Sequence, residues 1–414
     1  MSKDIRKPAP NETKGLVPEL RFPEFVEDGE WIDSTIEEIS SISSGGTPSR
    51  SKPQYWNGEI PWVSTTLINY NKIRTANEFI TELGLKNSST KMFPKGTILM
   101  AMYGQGKTRG KVAVLDIKAA INQACAAISL KKGMNIEFVF QNLSARYEEI
   151  RKISNEGGQK NLSSTLIKKI PFIYPRIESE EQQKIANCLS SLDHLITAET
   201  DKLDQLKNHK KGLLQQLFPA NGETKPLVRF PEFVGDGEWE EKELSVALDG
   251  KSSQIAKNKL EIVDDGFPIY GADGLIGCIN SFTQKEDYIA IVKDGSGVGN
   301  LFYYEGKSSL LGTLTYLISK NEKNYKIKWL YYLLHTVSFN PFVKGSGIPH
   351  IYYKDYSKLL VLIPKDPEEQ QKITNCLSSA DDLITAQTTK IEALKTHKKG
   401  LMQQLFPNIN ELAI

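Results

Sequence analysis

Residues 101–108, AMYGQGKT, are the part of the sequence closest to a catalytic motif. Ala101 lies five positions before Gly-Lys-Thr, which fits a relaxed phosphate-binding loop. Such a loop must connect a strand to a helix whose N-terminus faces the phosphates. The residues that follow, RGKVAVLDIK, predict a strand instead. The sequence therefore favours a glycine-containing turn. An ATP-dependent enzyme is the alternative, and ATP binding that is lost in Lys107→Ala would support it.

Other reaction chemistries lack their usual residues. A methyltransferase acting on a base amino group needs a Pro-Pro-aromatic loop, and residues 340–342, Asn-Pro-Phe, lack the second proline. The five histidines show no metal-ligand spacing, and the four cysteines form no CxxC pair. We therefore predict no catalytic residue, no metal and no cofactor.

Basic residues are concentrated in one part of the chain, although the net charge is only +2. No acidic residue occurs between residues 84 and 115, and this run contains Lys86, Lys91, Lys95, Lys107, Arg109 and Lys111. Such a run is typical either of a surface that neutralises phosphates or of a solvated basic face. A further alternative is a helical adaptor that makes no contact with DNA.

The composition is that of an ordinary globular protein, with 39% hydrophobic residues. No apolar run of about 18 residues could span a membrane, and the first residues do not resemble a signal peptide. We therefore expect a cytoplasmic protein with no membrane contact.

Two blocks of sequence occur twice. The segment RFPEFVEDGEW at 21–31 returns at 229–239 with one difference, and residues 180–219 return at 368–407 with about three quarters identical. The longer block has no internal proline and carries apolar residues at alternating four and three spacing. This spacing predicts two coiled-coil helices that pack on each other. Their seam positions are Ile185, Leu189, Leu192, Ile196, Glu199, Leu203, Leu206, Lys210, Leu213 and Leu217, matched by Ile373, Leu377, Ala380, Ile384, Gln387, Ile391, Leu394, Lys398, Leu401 and Leu405.

The connections between the blocks predict that the two helices are antiparallel. The second domain follows the C-terminal end of the first helix and leads directly into the N-terminal end of the second helix. Each helix of roughly 35 residues would be about 50 Å long. We predict an α+β protein in which two globular mixed α/β domains are joined by two long antiparallel coiled-coil helices, with pseudo-two-fold internal symmetry. The predicted segments are 1–175, 176–220, 221–365 and 366–414.

Matched strands are predicted within the two domains. Residues 97–102, 112–115 and 126–130 correspond to residues 288–292, 300–304 and 310–318, with a helix following at 136–150 and at 327–337. Between these landmarks the two domains share little sequence. The repeated helices and segments would therefore support two domains of different sequence.

The whole arrangement resembles the specificity subunit of type I restriction-modification systems. The resemblance rests on the RFPEF…GEW segments, on GGTPSRSKPQYWNGEIPWVS at 45–64, and on the helices that begin EEQQKI and end HKKGLLQQLFP or HKKGLMQQLFP. It covers residues 16–407. It implies two target-recognition domains that each read half of a split site in double-stranded DNA, and helices that bind two modification subunits. Restriction subunits would join the complex, and methylation and cleavage would belong to these partners.

Sequence reading on this interpretation needs exposed loop side chains that hydrogen-bond base edges, together with cations that hold phosphates. The first domain supplies Thr47, Ser49, Arg50, Lys52, Tyr103, Gln105, Lys107, Thr108, Arg109, Lys111, Gln159, Lys160 and Asn161 as candidates. The second supplies Lys251, Ser252, Gln254, Tyr270, Lys293, Ser296, Lys344, Ser346 and His350.

Overall fold

The computed structural model describes residues 17–104, 107–153, 161–177, 179–345 and 347–407. It divides into two compact units. Unit 1 consists of residues up to Glu199 together with those from Lys390 onwards, and unit 2 is Thr200–Thr389. Each unit therefore contains one globular domain and part of each long helix. The four-segment division made from the sequence stays a prediction.

Unit 1 contains a mixed α/β domain followed by a long helix whose residues from Thr200 onwards belong to unit 2. Its elements are β1 (Ile32–Thr35), α1 (Ile36–Ile39), β2 (Ser40–Ser44), β3 (Trp56–Val63), β4 (Lys72–Ile73), β5 (Glu78–Ile80), α2 (Glu82–Lys86), β6 (Met92–Phe93), β7 (Ile98–Ala101), β8 (Val112–Leu115), β9 (Ala119–Ile121), β10 (Cys125–Leu130), α3 (Ile136–Ala145), α4 (Tyr147–Lys152), α5 (Ser164–Lys168), β11 (Pro171–Tyr174) and α6 (Glu181–Leu217).

The strands in the described part of unit 1 form three sheets. Five strands pair in the order β2-β10-β7-β8-β4, four in the order β5-β3-β9-β6, and β1 pairs with β11. The strands β7 and β8 are buried along their whole length, which explains why their sequences are continuous apolar runs. Phe138 and Val139 of α3 belong to the same apolar core as Met100 and Val112 of these strands.

Unit 2 has a parallel list of elements. They are β12 (Glu240–Glu243), α7 (Leu244–Ala247), β13 (Leu248–Ser252), β14 (Phe267–Gly271), β15 (Gly274–Ile279), β16 (Tyr288–Val292), β17 (Leu301–Tyr304), β18 (Ser309–Leu310), β19 (Leu314–Ser319), α8 (Ile327–Leu334), α9 (Tyr353–Tyr356), β20 (Leu360–Ile363) and α10 (Pro367–Leu405).

The sheets of unit 2 repeat the connections of unit 1. The order β13-β19-β16-β17 matches β2-β10-β7-β8, the order β15-β14-β18 matches β5-β3-β9, and β12 pairs with β20 as β1 pairs with β11. In both units one central strand of the second sheet, β3 or β14, has one antiparallel and one parallel neighbour. The two domains therefore share a topology that their sequences hardly reveal.

The predicted strands are confirmed, with changes at their ends. The run predicted at 310–318 is two strands, because residues 311–313 form a turn between β18 and β19. The helix predicted at 136–150 is interrupted at Arg146, whose backbone ends α3 and begins α4. The helix predicted at 327–337 ends at Leu334.

The long helices α6 and α10 have the predicted seam. Every predicted seam position is buried or half-buried in both copies. Within unit 1, Lys398 of α10 pairs with Asp193 of α6, whereas the earlier Lys390 pairs with the later Glu199. Residue numbers thus run in opposite directions, so the antiparallel orientation is confirmed. Among the described residues, no helix is both long and apolar enough to cross a membrane.

The first RFPEF…GEW segment is fastened to the first turn of α6. Arg21 donates to both carboxylate oxygens of Glu181 at 2.8 and 2.7 Å, and the Trp31 indole N–H donates to the same carboxylate at 3.2 Å. Glu181 is fully buried. A charged group in that position needs such partners, because its desolvation would otherwise be costly.

The second segment makes the same clamp on α10. Arg229 donates to both oxygens of Glu369 at 2.7 Å, and the Trp239 indole N–H donates to Glu369 at 3.4 Å. The repeated sequence therefore anchors the start of each domain to the start of its own long helix.

Candidate nucleic-acid interface

Loops from distant parts of the sequence meet at one edge of the main sheet of unit 1. We name this region loop edge 1 and define it as residues 45–52, 102–111, 122–124 and 161–162, without the undescribed residues 105–106. The Met102 amide donates to the Ala124 carbonyl at 2.8 Å, and the Leu162 amide donates to the Met102 carbonyl at 2.9 Å. The backbone therefore ties three of these segments together.

Two glycines allow the first segment to pass through a narrow space. A Cβ at Gly45 would lie 1.9 Å from the Ile121 carbonyl oxygen, and one at Gly46 would lie 2.3 Å from the Ser89 hydroxyl oxygen. No side chain fits at either position without a shift of backbone. The chain emerges at Thr47, whose hydroxyl donates to the exposed Gln123 side chain.

Arg50 lies on an aromatic surface beside a carboxylate. Its guanidinium carbon is 3.6 Å from the centroid of the Trp56 ring, and both terminal nitrogens contact Glu78. The hydrogen bond and charge of Arg50 hold the pKa of Glu78 below its usual range. Arg50, Trp56 and Glu78 line an open cavity of about 420 Å³.

The other candidates in this segment have local partners. The Ser49 carbonyl accepts a hydrogen bond from the Trp56 indole at 3.2 Å, and the Ser49 and Ser51 hydroxyls lie 2.8 Å apart. The Lys52 amine donates to the Tyr55 hydroxyl at 3.2 Å. The side chains of Ser49, Arg50 and Lys52 remain exposed.

The segment 107–111 is a turn between β7 and β8, and a strand follows it where a nucleotide-binding loop would need a helix. The Lys107 side chain is exposed, and its carbonyl accepts from the Tyr147 hydroxyl at 2.6 Å. The Lys111 amine donates to Asn69 at 2.7 Å. Burial raises the pKa of Tyr70, whose ring meets the Tyr147 ring edge-on at 5.7 Å.

The remaining candidates of the first domain differ in accessibility. Tyr103 is exposed, whereas Thr108 and Asn161 are half-buried. Arg109 is only 8% exposed and donates to the Arg151 carbonyl at 2.8 Å. Gln105, Gln159 and Lys160 lie outside the described residues.

Unit 2 has the same assembly of loops, which we name loop edge 2 and define as residues 251–255, 293–300, 311–313 and 350–351. The Lys293 amide donates to the Thr313 carbonyl, and the Ile351 amide donates to the Lys293 carbonyl, both at 2.9 Å. These bonds match those of Met102 in unit 1, because Met102 and Lys293 each follow the corresponding strand. The two edges therefore occupy equivalent positions on equivalent sheets.

Six of the nine candidates of the second domain belong to loop edge 2. Lys251, Ser252, Gln254 and Ser296 are exposed, whereas Lys293 and His350 are half-buried. The three outside the edge are Tyr270, Lys344 and Ser346.

Two of these three candidates, Lys344 and Tyr270, have defined contacts near loop edge 2. Lys344 and His350 exchange both backbone hydrogen bonds, at 2.9 and 2.8 Å, and the Lys344 amine is paired with Asp355. The Tyr270 ring is half-buried and stacks on the Tyr304 ring at 3.7 Å. Ser346 lies outside the described residues.

Some residues at these edges were missed by sequence reasoning. Gln123 and Thr313 are exposed beside the predicted candidates, and Glu78 contacts Arg50. Gln123 and Thr313 precede the matched strands β10 and β19, so the strand correspondence was the available signal for them. Glu78 is far from Arg50 in sequence, and no local pattern indicated that contact.

Comparisons with known proteins agree with this architecture. Residues 28–208 and 237–396 match the family model described as the type I restriction modification DNA specificity domain. The chain is 27% identical to the type I restriction enzyme MjaIX specificity subunit of Methanocaldococcus jannaschii, over 91% of this chain and 92% of the relative. It is 28% identical to the EcoR124I/EcoR124II specificity subunit of Escherichia coli, over 42% of this chain and 44% of that one.

Two solved structures share the fold. The crystal structure of a type I restriction-modification S subunit from M. genitalium has a TM-score of 0.62 at 18% identity, covering 95% of this chain and all of that one. A chain from a study of complex assembly and conformational transition of the type I system has a TM-score of 0.56 at 14% identity, covering 91% and 98%.

Members of this family are DNA-recognition subunits that catalyse no reaction themselves and assemble with methyltransferase and restriction subunits. The family model matches most of the chain in two copies, and those copies correspond to the two domains with matched sheets. The chain therefore belongs to the DNA specificity subunits of type I restriction-modification systems.

Proposed function

We propose that the chain reads a bipartite site in double-stranded DNA, with loop edge 1 contacting one half-site and loop edge 2 the other. The observation that carries this proposal is the matched position of the two edges. Their backbone connections are the same, whereas their exposed side chains differ. Equivalent supports for different side chains are what two readers of different sequences require.

The side chains at each edge suit both kinds of DNA contact. Amide and hydroxyl groups such as Gln123 and Gln254 pair with base edges, whereas exposed lysines such as Lys107 and Lys251 hold phosphates. The candidates that are buried or undescribed stay predictions. Among these, Arg109 supports the edge from within, because its guanidinium holds the Arg151 carbonyl.

Two modification subunits would bind one chain, one to each unit, and restriction subunits would join them. A duplicated surface supports this stoichiometry. An open groove of about 420 Å³ at the start of α6 is lined by Glu24, Phe25, Asp28, Ser179, Glu180, Gln183, Lys184 and Asn187. All of these residues except Ser179 recur in the second copy of the repeat. Exposed valines, Val26 and Val234, flank the two copies.

The helix faces directed away from the seam, including the exposed residues of the HKKGL segments, would complete the docking surface. A partner that recognises one copy would also recognise the other. Mass measurement of the co-expressed complex should give two modification subunits per chain, and a one-to-one species at saturation would contradict the proposed stoichiometry.

Methylome sequencing of cells that carry the complete system tests the division of labour between the edges. We expect Gln123→Ala with Lys52→Ala to relax the sequence requirement at one half-site, because the amide is a base-edge donor and acceptor, and Gln254→Ala with Lys251→Ala to relax only the other. The matched controls are Lys118→Ala and Lys323→Ala, because both lysines are exposed in loops outside the two edges.

The outcomes separate the proposal from its alternatives. Changes at both half-sites from substitutions in one edge would contradict the assignment of one half-site to each unit. Micromolar ATP binding to the isolated chain that disappears in Lys107→Ala would instead favour a nucleotide-dependent enzyme.

A further inference from the structure

In unit 1, one aspartate joins three structural elements. Asp193 of α6 accepts hydrogen bonds from the Lys398 amine of α10 at 2.6 and 2.7 Å. The same carboxylate accepts from the Gln141 amide of α3 at 2.7 Å. The two long helices and the recognition domain therefore meet at this side chain.

In unit 2, Asp381 of α10 makes the corresponding set of contacts. It accepts from the Lys210 amine of α6 at 2.5 Å and from the Tyr332 hydroxyl of α8 at 2.8 Å. Burial, with a contribution from the Asp381 charge, raises the pKa of Tyr332, so the hydroxyl remains a donor at neutral pH.

The two sets of contacts are equivalent by position. Asp193 and Asp381 are matched residues of the repeated block, as are Lys398 and Lys210. Gln141 and Tyr332 each occupy the sixth position of their helix. The group that donates from the domain thus differs between the units, an amide in unit 1 and a hydroxyl in unit 2, while the accepting residue is an aspartate in both.

Because these side chains are partly buried, their hydrogen bonds restrict how the domain helix can rotate on the long helices. The side chains of Lys398 and Lys210 are 15% and 20% exposed, and those of Asp193 and Asp381 are 38% and 36% exposed. The apolar contacts nearby, such as Phe138 with Phe406, tolerate small rotations of packed helices. Charge-assisted hydrogen bonds tolerate them much less, because their geometry is narrower.

A continuous packed path leads from the aspartate to the loops. In unit 1, α3 packs on β7 and β8, and the turn between these strands belongs to loop edge 1. In unit 2, α8 packs on β16 and β17, whose connection belongs to loop edge 2. A rotation of α3 or α8 on the long helices would therefore move the loop edge with it.

We propose that Asp193 and Asp381 are positioning residues that fix the orientation of each loop edge on the helices, and so restrict the number of base pairs accepted between the half-sites. This inference rests on the proposed bipartite reading. The aspartates contact no base. They act through the donor helices that carry the reading loops.

The test removes the hydrogen bond from the domain to each aspartate and leaves the ion pair between the two long helices in place. Gln141→Leu and Tyr332→Phe, combined in the full chain with its modification subunits, remove the two donors and retain side-chain volume. Binding would be measured on duplexes that contain both half-sites, determined from the wild-type methylome, with the gap varied in steps of one base pair.

We expect wild type to prefer one gap length. In the double variant, discrimination against gaps one base pair longer or shorter should fall about tenfold. A tenfold change corresponds to the free energy of about one hydrogen bond to a charged group, which is the kind of bond that joins the domain to the aspartate. The sequence requirement within each half-site should not change. Unchanged gap discrimination in a folded variant would overturn the proposal.

Two further comparisons make every outcome informative. Asp193→Asn with Asp381→Asn should relax the gap in the same way, whereas the control Asp201→Asn with Asp382→Asn, which alters exposed aspartates of the same helices, should not. If the double variant does not fold, Tyr332→Phe alone is tested in its place, because it removes only one oxygen atom. A wild type with no gap preference would contradict the bipartite reading itself, not only the role of the aspartates.

Discussion

At the residue scale, the contact between Arg50 and Glu78 offsets one of the positive charges exposed at loop edge 1. Both terminal nitrogens of Arg50 contact the carboxylate, so a phosphate or a guanine would have to compete with Glu78 for this guanidinium. The depressed pKa of Glu78 keeps the carboxyl ionised at neutral pH. The pair is lost only as the pH falls through that lowered pKa.

Glu78→Gln should therefore strengthen binding to DNA that lacks the recognised sequence. Removing the negative charge releases Arg50 for a phosphate contact, which should steepen the slope of log affinity against log salt by about 0.9. The measurement is a salt titration of binding to random duplex. Glu59→Gln is the control, because Glu59 is an exposed glutamate of the adjoining strand β3. An equal slope in both variants would mean that Arg50 does not reach the backbone.

Side-chain direction was the part of the site that the sequence did not determine. Lys107 and Arg109 belong to the same basic run, yet Lys107 is exposed and Arg109 is buried against the Arg151 carbonyl. Turn residues carry no periodic pattern, and the partner of Arg109 comes from a distant helix. Sequence reasoning could place the basic loop but could not separate its exposed cations from its buried ones.

At the scale of elements, the predictable parts are those with a regular pattern. The helices α6 and α10 followed from a seven-residue repeat, and the buried strands β7, β8 and β16 from continuous apolar runs. The strands β1 and β12, with the sequences IDST and EEKE, have no such pattern and owe their existence to pairing with β11 and β20.

The clamp at the start of each long helix gives a stability prediction at this scale. Glu181→Gln leaves Arg21 without its buried carboxylate partner, so it should lower the free energy of unfolding of unit 1 by roughly 3 kcal/mol. The control is Lys184→Met, which removes an exposed ion pair with Glu24 and should cost less than about 1 kcal/mol. Urea denaturation of the two variants provides the comparison.

The clamp would be unimportant if both variants unfolded at the same urea concentration as wild type. Glu369→Gln should produce the same loss in unit 2, because its contacts are the same.

At the scale of the whole molecule, the long helices are expected to set the distance between the half-sites. The helix α6 has 37 residues, which corresponds to about 55 Å at 1.5 Å per residue, or roughly 16 base pairs of DNA at 3.4 Å each. Readers on one face of a duplex favour separations near whole turns of about 10 base pairs. The accepted gap should therefore have little freedom.

Insertion of four residues after Leu203 and after Ile391 should lengthen the preferred gap by nearly two base pairs, since each helix grows by about 6 Å. The insertions also rotate the domains and shift the seam, so some affinity should be lost. Methylome sequencing would show whether the half-sites keep their sequences while the gap changes. An unchanged gap, or altered half-sites, would mean that the helices do not set the spacing.

The two-stranded ribbons, β1 with β11 and β12 with β20, affect how the chain accommodates domains of different size. In unit 1, Ile32 lies opposite Tyr174 and Thr35 opposite Pro171, so the polypeptide between them is a closed loop in the sense of polymer theory. Residues 240–243 and 360–363 close the second loop in the same way. The entropy lost on closing a flexible loop grows only with the logarithm of its length, about 0.6 kcal/mol for each doubling. Segments can therefore be added to or removed from the exposed loops between the ribbon strands at little entropic cost, while the ribbon keeps both of its ends close to the start of the long helix.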